Sequence, residues 1–593
     1  MYLKLEALRS LMRMRGIDIY YIPTADFHES EYVIDYFKAR AYMTGFTGSA
    51  GVAVVTMTKA GLWTDGRYFI QAAKQIKGSG FELYRMGQEG VPTVREFMAA
   101  ELCEGGCIGF DGRVVNAKDG EAFAEIAAKK HGRLETSEDL VDQIWNDRPR
   151  LASGPAFYLD ECYAGETPAS KLARIREKMK AAGAQYHLIS SLDDVAWMLN
   201  VRGCDIPHFP VILSYLAVTM ENAVWFVDGT CLDEKICEKM KASGVEIASY
   251  GDIYRYAAAI SVQSTVMIEK PTVSYRIVKA LPAGVKIVDA DNPAMLMKAV
   301  KNPVEIENIR KAHVLDGVAF TRFMYWVKKN VGKMEMTEIS ASDYLEALRA
   351  QQEGFKEISF TTICAYQANA AMMHYSATPD NNAKLEPYGF LLVDSGGHYM
   401  TGSTDITRTI ALGELTEEQK KHFTLVAKGN LNLANAKFLY GCSGINLDIL
   451  SRGPLWQIGI DYQCGTGHGV GYMLSIHEKP NGIRWRFRPG SNCVLEEGMV
   501  TTDEPGVYLE GQYGIRTENE LLCVKDEKNF YGQFMRFENL TYAPIDLDAI
   551  DVRYLSEEDR RQLNAYHELV YQTLLPYMKG DEAEWLREYT KAV

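Results

Sequence analysis

The chain has 593 residues, 47% apolar and 24% charged, with a formal net charge of −14. At roughly 150 residues per domain, that length implies three or four domains rather than one hydrophobic core. The negative balance argues against nucleic acid or an anionic membrane as partner, since both would repel it, and no window approaches the roughly 18 apolar residues of a bilayer span.

In chain order, Leu5, Leu8, Leu11 and Met12 recur at helical spacing, and Gly16 follows as a stop. Lys4, Glu6, Arg9, Arg13 and Arg15 interrupt each apolar run. No secretory signal core is therefore expected, and a cytoplasmic location is. IDIYYIP reads as a buried strand, and GVAVVTMTKAGLWTDGRYFIQAA as strand, turn, strand and helix. This α/β material runs to about Trp145. NDRPRL then reads as a linker, because Pro149 disfavours a helical residue before it.

TPASKLARIREKMKAAG predicts a helix capped by Thr167, and QYHLISS a strand. SLDDVAWMLNVRG predicts a second helix, opened by a near capping box of Ser191 and Asp194. FPVILSYLAVT and NAVWFVDG follow as a hairpin. Helix, strand, helix, loop and hairpin repeat the order of the first segment, so two similar α/β domains are expected at 1–148 and 149–300. A third domain, 301–593, opens on a long amphipathic helix whose Ile306, Ile309, Ala312, His313, Leu315 and Ala319 share a face. Helices and strands then alternate, and a last helix from about Asp581 either docks back or mediates self-association. No Gly/Ser linker separates the segments, which predicts packed domain interfaces. Eleven cysteines without a CxxC pair read as reduced, partly buried thiols.

The residues with most chemical content lie in LLVDSGGHYMTGSTDITRT, CGTGHGVGYMLSIHE, VTTDEPGVY and YGIRTENELL: Asp394, Asp405, His468, Glu504 and Glu518. GFLLVDSGG is a strand ending in Asp394 and TDITRTI its return, so an antiparallel pair can bring Asp394 and Asp405 to one end and one face. Two such carboxylates repel unless cations neutralise them. His468 sits among Gly465, Gly467, Gly469 and Gly471, where the loop can come close to a bound ion. Glu504 ends a strand before Pro505. Glu518 is expected inside the next strand, with Arg516 on its face as a donor to a ligating carboxylate. Each residue alone has an ordinary explanation. Together, four carboxylates and one imidazole make a hard site for two divalent ions, which points to metal-assisted hydrolysis of a carbonyl.

With these motifs on the page, the chain resembles the aminopeptidase P group (Xaa-Pro aminopeptidases) of the pita-bread metallopeptidases, in its long three-domain form. The resemblance spans essentially the whole chain. It implies two creatinase-like N-terminal α/β domains and a pita-bread catalytic domain with a C-terminal helical extension. It implies that Asp394 is terminal on one metal, that Asp405 and Glu518 bridge both, and that His468 and Glu504 complete the second. The family's two further active-site histidines match His374 in AMMHYSA and His477 in SIHEKP. Manganese is the implied ion pair, and the ligand chemistry also admits cobalt, iron or zinc.

The implied reaction releases the first residue of a peptide whose second residue is proline. The Xaa-Pro bond is a tertiary amide without N–H, so a rigid pocket for the ring must replace the usual backbone grip. His374 and His477 are expected to border that pocket, and one or the other to hydrogen-bond the developing oxyanion, with Glu504 as proton shuttle. The resemblance further implies a homodimer through the catalytic domains. His28 and the GFTGSAG loop could line the substrate entrance or meet a second subunit. Where many relatives carry histidine four positions before the ligand histidine, this chain has Cys464. That thiol is expected beside the ligands and open to thiol reagents. A prolidase would share the ligands, but the long form favours the aminopeptidase. A non-catalytic scaffold would not need all five.

Overall fold

The computed structural model describes residues 2–151, 153–487 and 492–593. The chain forms two compact units. One runs through Tyr158 and resumes at Glu166–Ala294; the other comprises Leu159–Gly165 and Met295–Val593.

The first unit contains two six-stranded mixed sheets of the same design. The order in one is Glu82–Arg85, Ala60–Thr64, Val52–Thr56, Ile19–Pro23, Cys107–Gly109, Arg133–Glu135. In the other it is Val245–Ser249, Ala223–Val227, Ser214–Thr219, Tyr186–Ile189, Thr265–Ile268, Lys286–Asp289. Each sheet has a central strand, Ile19–Pro23 or Tyr186–Ile189, antiparallel to a hairpin strand on one side and parallel to its neighbour on the other. The central strands are almost wholly buried, which is why their sequences read as apolar runs.

Local signals differ in how they fare. Thr167 caps the helix Pro168–Ala181 by accepting from the Ser170 N–H. The capping box expected at Ser191 does not form. Ser191 Oγ donates to Asp193 Oδ1 instead, and Asp194 takes the Asn292 amide at 2.7 Å. His28 lines no entrance: it is 2% exposed, with its ring nitrogens 2.9 Å from Ser190 O and 2.7 Å from Tyr250 Oη. The NDRPRL linker is held by Arg148, whose guanidinium lies over the Tyr36 ring and 2.7 Å from Asp139.

The second unit is organised around the 28-residue helix Pro303–Asn330, opened by a capping box of Asn302 and Glu305. Its inward face includes Ile309, Ala312, His313 and Ala319, while Ile306 and Leu315 are only partly covered. Asn302 and Asn308 donate to Ala164 O and Cys162 O, which ties residues 159–165 to this unit. Two sheets follow. A three-stranded one orders Ile363–Tyr366, Phe390–Ser395, Ile406–Ala411. A six-stranded one orders Lys437–Leu439, Gly532–Asn539, Asn519–Asn529, Val500–Asp503, Gly467–Gly469, Glu478–Ile483. A hairpin of Gly506–Leu509 and Tyr513–Arg516 stands beside them. The last helix, Asp581–Tyr589, docks back on the long helix through Lys329–Asp581 and Arg322–Glu582, with Leu586 buried. All eleven cysteines are free thiols, and no helix among the described residues is long and apolar enough to cross a membrane.

Candidate metal centre

The strand pair expected to carry the two aspartates is in register. Asp394 lies opposite Thr407 on the antiparallel strand Ile406–Ala411. Asp405 stands just ahead of that strand, two residues from Thr407 and so on its face. His468 is the middle residue of the short strand Gly467–Gly469. A Cβ on Gly467 would sit 2.0 Å from Thr502 O, so glycine is what lets this strand lie against Val500–Asp503. Glu504 follows that strand and donates its N–H to Thr466 O at 2.7 Å. Glu518 is not inside a strand. It forms the junction between Tyr513–Arg516 and Asn519–Asn529, with its N–H on Thr407 O at 3.0 Å.

These five residues converge. Ligand-type atoms of Asp405, His468 and Glu518 lie within 4.8 Å of one another. His468 Nε2 is 3.6 Å from Asp405 Oδ2 and 3.5 Å from Glu504 Oε1. Arg516 reaches Asp394 Oδ2 at 2.5 Å, Tyr508 Oη at 2.7 Å and Thr407 Oγ1 at 3.1 Å. Thr407 Oγ1 in turn donates to Glu518 Oε2 at 2.7 Å. Asp405 is set through its main chain, since its N–H donates to Glu520 Oε1 at 2.6 Å, and that carboxylate faces His313 Nε2 at 3.3 Å.

The donor set fits divalent cations. Asp394 Oδ1 is buried with no hydrogen-bond partner. Burial, reinforced by the neighbouring carboxylates, holds Asp405 and Glu518 well above the ordinary carboxylate range. Burial pushes Glu504 up to about 7, with Arg516 opposing it and Asp394 adding to it. Asp405, Glu504 and Glu518 are thus stable as anions only with further cations among them.

This has a measurable consequence. In the metal-free protein Asp405, Glu504 and Glu518 keep protons that the unfolded chain, with values near ~4, has already released. Their contribution to stability is present below about pH 4 and is lost as pH rises through the folded values, about 7 for Glu504. The rise in melting temperature on adding Mn²⁺ to chelator-treated protein is therefore expected to be small at pH 5 and to grow toward pH 8. A shift of equal size at both ends would contradict this charge balance.

His477 packs edge-on against His468, with ring centroids 4.4 Å apart and planes at 80°. The next residue, Glu478, is buried and meets Lys301 Nζ at 2.5 Å, both side chains being at most 1% exposed. Replacing Lys301 with methionine strands that carboxylate. A stability loss of about 3–5 kcal/mol is expected in denaturant titration, and Glu478→Gln in the same chain should recover much of it.

His374 is exposed, in the turn after the 3₁₀ segment Gln367–Ala371. That segment lies on the hairpin carrying Arg516: a Cβ on Gly514 would meet Ala370 O at 1.9 Å. Cys464 is half-buried within electrostatic reach of Glu504 and Arg516, and burial pushes its thiol up to about 12. A thiol so protonated is a poor nucleophile, so easy attack by thiol reagents is not expected. The sequence reading passed over Thr407, Tyr508 and Glu520. Thr407 and Glu520 were within reach, since each sits two residues from a candidate ligand, the spacing that shares a face in extended chain.

Comparison with known proteins bears on the whole chain. Residues 307–525 match metallopeptidase family M24, and residues 533–593 match its C-terminal region. Residues 4–144 and 147–305 each match a creatinase/prolidase N-terminal domain. The chain is 37% identical to aminopeptidase P2 of Arabidopsis thaliana over 99% of its own length and 88% of that protein's. It is 38% identical to a probable Xaa-Pro aminopeptidase P of Botryotinia fuckeliana, over 98% and 91%. Its structure is similar to the crystal structure of an X-prolyl aminopeptidase from Caenorhabditis elegans, described as a cytosolic enzyme with a di-nuclear active site. The TM-score is 0.93 at 35% identity, covering 100% of this chain and 99% of that one.

Proposed function

The chain belongs to the Xaa-Pro aminopeptidase (aminopeptidase P) group of metallopeptidase family M24, and on that footing we propose that Asp394, Asp405, His468, Glu504 and Glu518 hold its two divalent metal ions. The enzyme is a metallo-aminopeptidase that releases the first residue of peptides with proline in second position. The observation that carries the ligand assignment is the meeting of Asp405, His468 and Glu518 within 4.8 Å, beside an Asp394 oxygen left without a partner. Manganese is the proposed pair, which suits a set with four carboxylates and one imidazole.

Bound in such a site, divalent ions acidify water and polarise a carbonyl. The protein's residues do the rest. Glu504 has a more open side chain than Asp394 or Asp405, 23% exposed against 12% and 6%, which suits it to pass a proton to the leaving amine. Arg516 and Thr407 orient Asp394 and Glu518 by charge-assisted hydrogen bonds. His477, at right angles to His468, is proposed to donate to the scissile carbonyl oxygen, and His374 to border the proline ring from its turn.

We further propose functional borders at 148 and 300, a cytoplasmic location in keeping with eleven free thiols, and a homodimer. An exposed aromatic pair on the second unit, Trp456 and Trp485, supports pairing of two copies there. The deciding experiment is hydrolysis of Gly-Pro, Arg-Pro-Pro and Arg-Ala-Pro with and without Mn²⁺. Cleavage of Arg-Pro-Pro after arginine, dependent on metal, is expected. Cleavage of Gly-Pro alone would mark a prolidase, and full activity in verified metal-free protein would end the two-ion assignment.

A further inference from the structure

The C-terminal region, residues 533–593, carries none of the proposed ligands, yet it reaches the metal centre through one buried cation. Arg408 is 1% exposed on the strand Ile406–Ala411, facing away from Asp405 and Thr407. Its five N–H groups are shared among six oxygens: Pro544 O at 3.0 Å, Thr407 O at 2.9 Å, Glu518 O at 2.6 Å, and, on Nη2 alone, Asn519 Oδ1 at 2.8 Å, Ala543 O at 2.9 Å and Tyr566 Oη at 2.6 Å. None of these acceptors is a carboxylate. A guanidinium buried with no carboxylate bonded to it is costly, and it depends on those oxygens staying in place.

Two of the acceptors matter for Glu518. One is its own carbonyl. The other is the carbonyl of Thr407, the residue that accepts the Glu518 N–H and whose hydroxyl grips the Glu518 carboxylate. On its other side the guanidinium is fixed by Tyr566, from the helix Glu557–Leu574, whose hydroxyl also reaches Ala543 O at 2.9 Å. We infer that Tyr566 is a positioning residue for the metal centre, acting through Arg408 on the main chain at Glu518, so that the C-terminal helix sets how tightly the ions are held. Without the phenol oxygen, Arg408 Nη2 keeps only Asn519 Oδ1 and Ala543 O, the Ala543 carbonyl loses the hydroxyl that also holds it, and the guanidinium is free to shift, which loosens the anchor at Glu518. Ligating carboxylates need placement within about half an ångström, and residues that hold a ligand typically change metal affinity ~10–100-fold.

The inference rests on the two-ion assignment above, and its test separates the two. Metal-stripped wild-type, Tyr566→Phe and Tyr571→Phe proteins are titrated with Mn²⁺ by calorimetry, and their metal-free melting temperatures are compared. Tyr571 lies on the same helix, but its hydroxyl meets Arg587. The expected result is two ions bound by all three, about tenfold more weakly by Tyr566→Phe, with activity recovered at saturating Mn²⁺. A purely structural role would lower the metal-free melting temperature and leave the isotherm in place. Superimposable isotherms for Tyr566→Phe and Tyr571→Phe would overturn the inference. Failure of the wild type to bind two ions would instead overturn the assignment it rests on. Should Tyr566→Phe not fold, Asn519→Ala removes another acceptor from the same guanidinium and is read on the same isotherm.

Discussion

Asp405→Asn is expected to lose hydrolysis and at least one ion, with the fold intact. Asparagine is isosteric here. The main chain at 405 is held by Glu520, at 2.6 Å from the Asp405 N–H, so the new side chain should occupy the same place. What changes is charge. Asp405 is 4% exposed, faces His468 at 3.6 Å and lies in the group with Glu518, where it is proposed to touch both ions. Removing one negative charge from a dry site leaves two dications with less compensation, and low dielectric magnifies the deficit. The loss should exceed the ~10–100-fold typical of residues that merely hold a ligand. Cys464→Ala is the paired measurement. Its thiol is held protonated by burial and makes no proposed bond to an ion, so its effect should stay within tenfold or so. Bound metal by elemental analysis, kcat/KM on Arg-Pro-Pro and far-UV circular dichroism decide the comparison. Equal losses in the two variants would show that the line between residues touching the ions and residues beside them is drawn in the wrong place.

The parts of this site that could be read from sequence are those governed by short-range geometry. Asp394 and Asp405 fall at one end of an antiparallel pair because alternation along two strands leaves little choice. Thr167 caps its helix because the hydroxyl and the orphan N–H groups are neighbours in the chain. Ser191 had the same local pattern and failed, because Asn292, 98 residues away, claims Asp194. His28 failed for a like reason: its partners Ser190 and Tyr250 lie 162 and 222 residues on. Glu518 was legible as a candidate ligand but not as a junction, since its N–H and its carboxylate are both held by Thr407, 111 residues earlier in the chain. Arg408 carried no signal at all. Its alternation within TDITRTI marks only the face opposite the aspartates, and its acceptors come from four separate stretches of chain.

His477→Ala is expected to depress turnover by ~10²–10⁴, the range usual for a positioned proton donor, while both ions stay bound. The ring of His477 stands edge-on to His468 at 4.4 Å, which places it against the ligand set without assigning it to that set. Its position is not left to a loose loop. Glu478, the next residue, is pinned by Lys301 in a buried ion pair, so the ring is delivered from a fixed strand end. A donor held this way can strengthen its hydrogen bond as the carbonyl oxygen gains charge, and such a bond acts on kcat more than on KM. Removing the ring should therefore lower kcat on Arg-Pro-Pro with a smaller change in KM, and the Mn²⁺ isotherm should match wild type. His374→Ala, on its exposed turn, is expected to raise KM more than it lowers kcat, because bordering the proline ring is ground-state binding as much as transition-state stabilisation. Loss of an ion in His477→Ala would make that histidine a ligand and reassign the coordination. Equal kcat for His477→Ala and wild type, with both ions bound, would leave the oxyanion to another donor and remove His477 from the chemistry.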